Sequence, residues 1–301
     1  MQTPERSEIL LRLADLENGG FEQAAWTVFY YQARHNPLYA RFLELLGRRT
    51  SEIQNLMSVP FLPIQFFKTQ EVKSGSWLPQ TVFTSSATTG QTPSRHLVRD
   101  LGFYLENARS GFARQWGDPS EWCILALLPS YLERSGSSLV AMADDLIRQS
   151  KYPESGFFLH DLKRLHDVLV FCKSSGYKTL LLGVSFALLD FAEQFPMDLS
   201  GITVMETGGM KGRRRELTRA ELHETLCAAF QLTDIYSEYG MTELFSQAYT
   251  QGGPLFTPAP TLRVVATEIN DPFCPVAPGR TGVLNIIDLA NLDTCSFIQT
   301  E

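Results

Sequence analysis

No pair of the five cysteines stands at C-x-x-C spacing: Cys123, Cys172, Cys227, Cys274 and Cys295 are scattered. That argues against a zinc site, and unpaired thiols of this kind read as those of a reduced, cytoplasmic protein. Cys123, Cys172 and Cys227 lie in apolar runs and are expected to be buried. Long apolar runs are missing too. The most apolar one, from Thr179 to Leu189, is broken by Gly183 and Ser185 and stops at Asp190, short of the roughly 20 residues that span a bilayer. Met1-Gln2-Thr3-Pro4-Glu5-Arg6 lacks the apolar core of a signal peptide. Basic charge is in deficit. The formal net charge is −7 with no basic stripe, which makes nucleic acid a poor partner.

The remainder is globular material: 44% apolar over 301 residues, enough for one large domain or two ordinary ones. Residues 5–48 read as helices. Apolar residues recur at i, i+4, i+7 and i+8 from Phe21, and Asn36-Pro37 reads as an N-cap with proline in the first turn. Residues 59–69 are apolar but contain Pro60 and Pro63. Proline excludes a helix interior or a central strand, so an extended, packed segment is expected. From residue 81, strands (81–83, 122–128, 178–183, 202–205, 234–237) alternate with helices (101–115, 139–149, 161–173, 186–195, 219–230). The alternation predicts a mainly parallel α/β sheet flanked by helices. Residues 262–269 and 281–288 are strand-like between Pro/Gly turns and suggest a small β layer beginning near residue 250. The expected organisation is a helical segment over 1–80 packed on the main domain, an α/β nucleotide-binding core over 81–250, and a β-rich end over 251–301.

Ligand sites in such sheets lie at the C-terminal ends of strands, and unusual turns follow residues 83, 128 and 205. In Thr84-Ser85-Ser86-Ala87-Thr88-Thr89-Gly90, five hydroxyl side chains occupy six positions before a glycine. Ser and Thr compete with helical hydrogen bonding. A loop of them offers N–H and O–H donors together, which suits phosphate oxygens; an ordinary surface loop is the competing reading. After 128 comes the polar turn from Pro129 to Ser138. Met205-Glu206-Thr207-Gly208-Gly209-Met210-Lys211-Gly212 ends a strand on two glycines that permit close approach of a flat ligand, and Arg213, Arg214 and Arg215 read as a solvated basic patch. Tyr236-Ser237-Glu238-Tyr239-Gly240-Met241-Thr242-Glu243 sets a ring, a glycine, a hydroxyl and a carboxylate at another strand's end. A tyrosine can stack on a base, and a carboxylate beside phosphates can hold Mg²⁺. A buried Tyr with an exposed Glu is the alternative.

Taken in order, Ser85-Ser86-Ala87-Thr88-Thr89-Gly90, then Gly208-Gly209, then Tyr239-Gly240-Met241-Thr242-Glu243, the set resembles the adenylate-forming ligases: acyl-CoA synthetases, luciferases and adenylation domains. Phe61-Leu62-Pro63-Ile64-Gln65-Phe66-Phe67-Lys68-Thr69 and Leu128-Pro129-Ser130-Tyr131-Leu132-Glu133-Arg134 are similar to the acyl-protein synthetase (LuxE-type) branch, with the phenylacetate–CoA ligases nearby. The resemblance runs from about residue 20 to the end. It implies the large N-terminal domain of such an enzyme, with ATP and Mg²⁺ as cofactors. By the same resemblance Ser85, Ser86, Thr88, Thr89 and Gly90 hold the phosphates, and Gly208 and Gly209 border the adenine. Tyr239 packs on the base, with Gly240 and Met241 in the same turn. Thr242 contacts the α-phosphate and Glu243 ligates Mg²⁺, the two being the catalytic candidates. The implied reaction converts a carboxylic acid, a fatty acid in that branch, into an acyl-adenylate and passes the acyl group to a protein cysteine. An acyl-reductase or carrier protein is the implied partner. An aryl- or acyl-CoA ligase is the alternative within the superfamily, and a non-catalytic nucleotide- or acyl-binding subunit is the alternative outside enzymes. Residues 183–186 are expected near the acyl pocket.

The loop departs from the family pattern at Ala87, where glycine is usual, and at Ser94-Arg95, where a lysine is usual. Phe297-Ile298-Gln299-Thr300-Glu301 resembles the start of the segment whose next aspartate binds the ribose. The family's C-terminal lid, with its adenylation lysine and, in this branch, its acyl-accepting cysteine, follows that point. The chain is therefore expected to be a fragment that binds ATP weakly and turns over poorly.

Overall fold

The computed structural model describes residues 5–14, 16, 19–86, 92–129, 136–208, 215 and 217–300. Thr88, Thr89, Gly90, Gly209 and the Ala87 departure lie outside them, as do Arg213 and Arg214.

Three helices open the chain: α1 (Arg6–Leu13), α2 (Phe21–His35) and α3 (Pro37–Leu45). Asn36 caps α3 by accepting from Tyr39 N, with proline in the first turn as expected. Strand β1 (Leu62–Pro63) and a single turn α4 (Phe66–Thr69) follow. The segment is therefore extended only in part. Its prolines are accommodated because β1 is the outermost strand of its sheet and pairs on one side alone, parallel to a C-terminal strand.

Next come β2 (Thr81–Thr84), β3 (Arg95–Val98), α5 (Leu101–Trp116), β4 (Cys123–Leu127), α6 (Ser138–Gln149), β5 (Gly156–Phe157), α7 (Leu162–Ser174), β6 (Thr179–Val184), α8 (Ser185–Gln194), β7 (Thr203–Thr207), α9 (Arg219–Phe230), β8 (Tyr236–Tyr239), β9 (Ala248–Thr250) and β10 (Phe256–Pro258). Seven of these strands form one sheet in the order β10-β9-β8-β7-β6-β4-β5. The run from β8 to β5 is parallel, and β9 and β10 close one edge antiparallel. β4 and β6 are buried along their whole length, as continuous apolar runs in a parallel sheet should be. The helices between them bury Phe112, Met142, Leu169, Phe191 and Phe230 in the same core.

Two expectations change. Strand β2 does not join the parallel sheet. It pairs antiparallel with β3, Thr81 opposite Val98 and Thr84 opposite Arg95. The ten residues between them are too few for the crossover a parallel pair needs. The C-terminal β layer does not start near 250 either, because β9 and β10 extend the large sheet. The layer consists of β11 (Leu262–Glu268), β12 (Asp271–Pro275), β13 (Val283–Asp288) and β14 (Phe297–Gln299), in the order β1-β14-β13-β11-β12.

This five-stranded sheet and α1–α3 share a second core built from Val28, Phe29, Tyr39, Leu62, Ile286 and Phe297, among others. Cys123 and Cys172 are buried, with their sulfurs 3.6 Å apart, while Cys227 is only half-buried. Among the described residues no helix is long and apolar enough to cross a membrane.

Candidate functional site

The ends of β7 and β8 are adjacent, with Thr207 opposite Glu238. The chain leaves β7 through Gly208, whose φ of +67° lies in the left-handed region that glycine adopts without strain. The Ser185 hydroxyl lies 2.6 Å from the Gly208 carbonyl and 3.1 Å from Glu206 Oε2, which pins this exit from behind. Residues 183–186 are accordingly buried behind the wall and do not line the cavity described next.

Beyond β8, the segment Gly240–Ser246 is held by the C-terminal sheet. Asp288 accepts from the backbone N–H groups of Phe245 (2.8 Å) and Ser246 (2.9 Å) and from the Ser246 hydroxyl (2.6 Å). Asn291 Nδ2 donates to the Glu243 carbonyl at 2.7 Å. His96, on the β2–β3 hairpin, has Nδ1 2.9 Å from the Thr242 carbonyl and Nε2 2.9 Å from Thr294 Oγ1. The neutral Nδ1–H tautomer satisfies both contacts, and burial pushes this imidazole down to about 4.

The hairpin reaches the same place. Ser85 extends the β2–β3 ladder: its N–H donates to the Ser94 carbonyl (3.1 Å), and its hydroxyl accepts from Ser94 N (2.9 Å). Thr84 N donates to Gly136 O at 2.7 Å, tying the loop after β4 to the hairpin.

The result is a cavity of about 250 Å³ lined by Ser85, Ser86, Gly208, Gly240, Met241, Thr242 and Glu243. A second cavity of about 370 Å³ shares Ser85, Ser86, Met241 and Glu243 with it and adds Tyr239, Lys68, Ser94 and Thr300. Every described residue expected at the nucleotide and Mg²⁺ thus lies on one of two adjoining cavities. Of the two residues at the lysine position, Ser94 is buried at the wall and Arg95 is exposed. A larger groove of about 1660 Å³ runs along α1 and α2, but none of the three turns reaches it.

Among the lining residues that sequence reasoning did not nominate are Ser137 and Ser138 at the start of α6, Glu238 and Gln247. Burial pushes the Glu238 carboxyl up to about 7; the Thr207 hydroxyl bond opposes the rise and the charge of Glu206 adds to it. Gly240 packs on this carboxyl so closely that a Cβ would sit 2.5 Å from Glu238 Oε1. A carboxylate inside a short strand, between Ser237 and Tyr239, was the available signal for Glu238. Gln247 had none.

The donor set suits a nucleotide with Mg²⁺. Ser85, Ser86 and the buried Glu243 line both cavities, and Thr242 lines the first. No cluster of three acidic, His or Cys ligands exists among the described residues. One carboxylate suffices for Mg²⁺ when substrate phosphates supply further oxygens.

No family model matches the chain, and no curated protein matches it. Solved structures do. The crystal structure of 2-hydroxyisobutyryl-CoA ligase in the postadenylation state, in complex with R3-HIB-AMP, matches 92% of this chain and 61% of its own with a TM-score of 0.65 at 13% identity. The same ligase with 2-HIB-AMP and CoA, in the thioesterification state, matches 99% and 63% with a TM-score of 0.66 at 15% identity. The fold is therefore the one that adenylate-forming ligases use. This chain spans about three fifths of the length of those ligase chains.

Proposed function

We propose that the protein activates a carboxylic acid with ATP, forming an acyl-adenylate and pyrophosphate, and that the acyl group then passes to a thiol. The observation that carries this reading is the convergence of Ser85–Ser86, Gly208 and Gly240–Glu243, from three distant parts of the chain, on one cavity. The acid's carboxylate oxygen attacks the α-phosphorus and pyrophosphate leaves. Negative charge builds on phosphate oxygens, so the protein's task is to position the reactants and offer donors to those oxygens.

In this reading Ser85 and Ser86, with Thr88, Thr89 and Gly90, hold the phosphates. Gly208 and Gly209 border the adenine, and Tyr239 packs on it. The Thr242 hydroxyl donates to the α-phosphate and Glu243 holds Mg²⁺. The ion, when bound, offsets phosphate charge. The acceptor is a protein cysteine by the resemblance to acyl-protein synthetases, delivered by an acyl-reductase or carrier partner in the cytoplasm; CoA is the alternative thiol. A fatty acid is the acid that the resemblance suggests.

Acid-dependent ATP–pyrophosphate exchange across an acid panel tests the reading. Exchange should appear with at least one acid. Thr242→Val and Glu243→Gln should each lower it by about 10²-fold, the scale of losing one transition-state donor or charge. Bound ATP without exchange for any acid would favour a non-catalytic binding subunit instead.

A further inference from the structure

We propose that the acid taken by this site is short and carries a primary amine, and that Glu238 and Gln247 select it. The inference rests on the acid-activating reading above and concerns the part of the cavity away from Ser85 and Ser86.

That part is polar. Glu238 is buried, and its carboxyl has one hydrogen-bond donor among the described residues, the Thr207 hydroxyl. No cation of the described residues pairs with it. Gln247, 4% exposed, gives its Nε2–H to the Phe245 carbonyl at 3.2 Å, and its Oε1 has no partner. Both groups look for donors. A buried carboxylate also wants a counter-charge. An alkyl chain supplies neither. A hydroxyl supplies one donor, whereas an ammonium supplies three together with the positive charge.

Size points the same way. At about 250 Å³ the cavity is smaller than the roughly 300–1,000 Å³ of pockets that hold drug-sized ligands. Glu238 and Thr242 are four residues apart, at most about 14 Å along the chain. Both line the same cavity of about 250 Å³, so an acid whose carboxylate meets the α-phosphate beside Thr242 reaches Glu238 without leaving it. Gly240 lies between the two, and a side chain there would collide with Glu238 Oε1.

The test compares amino acids of two to five carbons with alkanoic and hydroxy acids of equal length and with tetradecanoate. The readouts are ATP–pyrophosphate exchange and calorimetric binding. An amino acid should have the lowest KM, with its same-length alkanoic acid higher by about tenfold or more, as expected when a site built for a polar group loses it. Glu238→Gln, which keeps the shape, should raise KM and Kd for the amino acid by about tenfold or more relative to those of the same-length alkanoic acid. Gln247→Met should do the same to a smaller extent, so the inference does not depend on one variant folding. Preference for tetradecanoate, or a Glu238→Gln variant that treats all acids as wild type does, overturns the inference and leaves acid activation intact. If exchange fails with every acid, acid activation fails. Calorimetric binding of an amino acid that Glu238→Gln weakens would then still support the pairing, and no such binding would overturn it.

Discussion

His96 and Glu238 are buried titratable groups displaced in opposite directions, and that makes them a matched pair of probes. Burial holds His96 at about 4, below its ordinary 6.5. A depressed imidazole contributes stability that is present above pH 6.5 and lost as pH falls toward 4, because the unfolded chain binds the extra proton. Burial holds Glu238 at about 7, above its ordinary 4.5. A raised carboxyl contributes stability that is present below pH 4.5 and lost as pH rises through 7. Between pH 4.5 and 6.5 the two slopes oppose one another. Glu238→Gln should expose the His96 slope, with stability rising with pH by about 1.4 kcal/mol per unit relative to wild type. His96→Asn should expose the opposite slope. Urea denaturation at several pH values reads both, and variants that parallel the wild type would show that neither group is desolvated as described.

At the scale of elements, the site depends on one segment, Gly240–Ser246, which has little regular structure and is held from outside. Asp288 receives three hydrogen bonds from it, from Phe245 N, Ser246 N and Ser246 Oγ, and a fourth from Ala290 N. Asp288→Ala should destabilise the fold by about 3 kcal/mol or more in denaturant titration, since several buried donors lose a charged acceptor at once. Asp288→Asn should cost less.

The same elements explain what could be read from sequence. Helix α9 was legible over 219–230, and the structure adds a capping box of Thr218 and Glu221 at its start. The β4, β6 and β7 strands were legible as apolar runs between helices. The β2–β3 hairpin was not, since β3 is four residues long and follows a loop without the short turn chemistry of hairpins. Single-turn α4 and two-residue β5 fall below any periodicity.

At the scale of the molecule, the chain closes on itself. The first helices cover the sheet that β1 forms with the C-terminal strands β11–β14. Gln32 donates to the carbonyls of Asn291 and Leu292 at 3.0 Å each and accepts from Ser296 N at 2.9 Å. Arg6 pairs with Asp293 through two bonds of 2.7 and 2.6 Å. Gln32→Leu keeps the volume but orphans those groups, and should cost about 2 kcal/mol by urea titration. Because Asn291 also holds Glu243, the loss should reach the site and weaken nucleotide binding with no residue of the cavity changed.

Candidate residues on the three turns were legible because hydroxyl, glycine and carboxylate clusters stand out against helical and strand periodicity. The supports were not: Asp288, Asn291 and His96 sit in ordinary surroundings and reach the site only through a fold that joins residues far apart in sequence.

The central claim is that one nucleotide touches all three turns. Hydrogen exchange with and without a non-hydrolysable ATP analogue and Mg²⁺ tests it directly. The account predicts that residues 84–86, 207–208 and 239–243 gain protection together and at the same ligand concentration. Protection confined to one of these segments, or found only along α1 and α2, would contradict it.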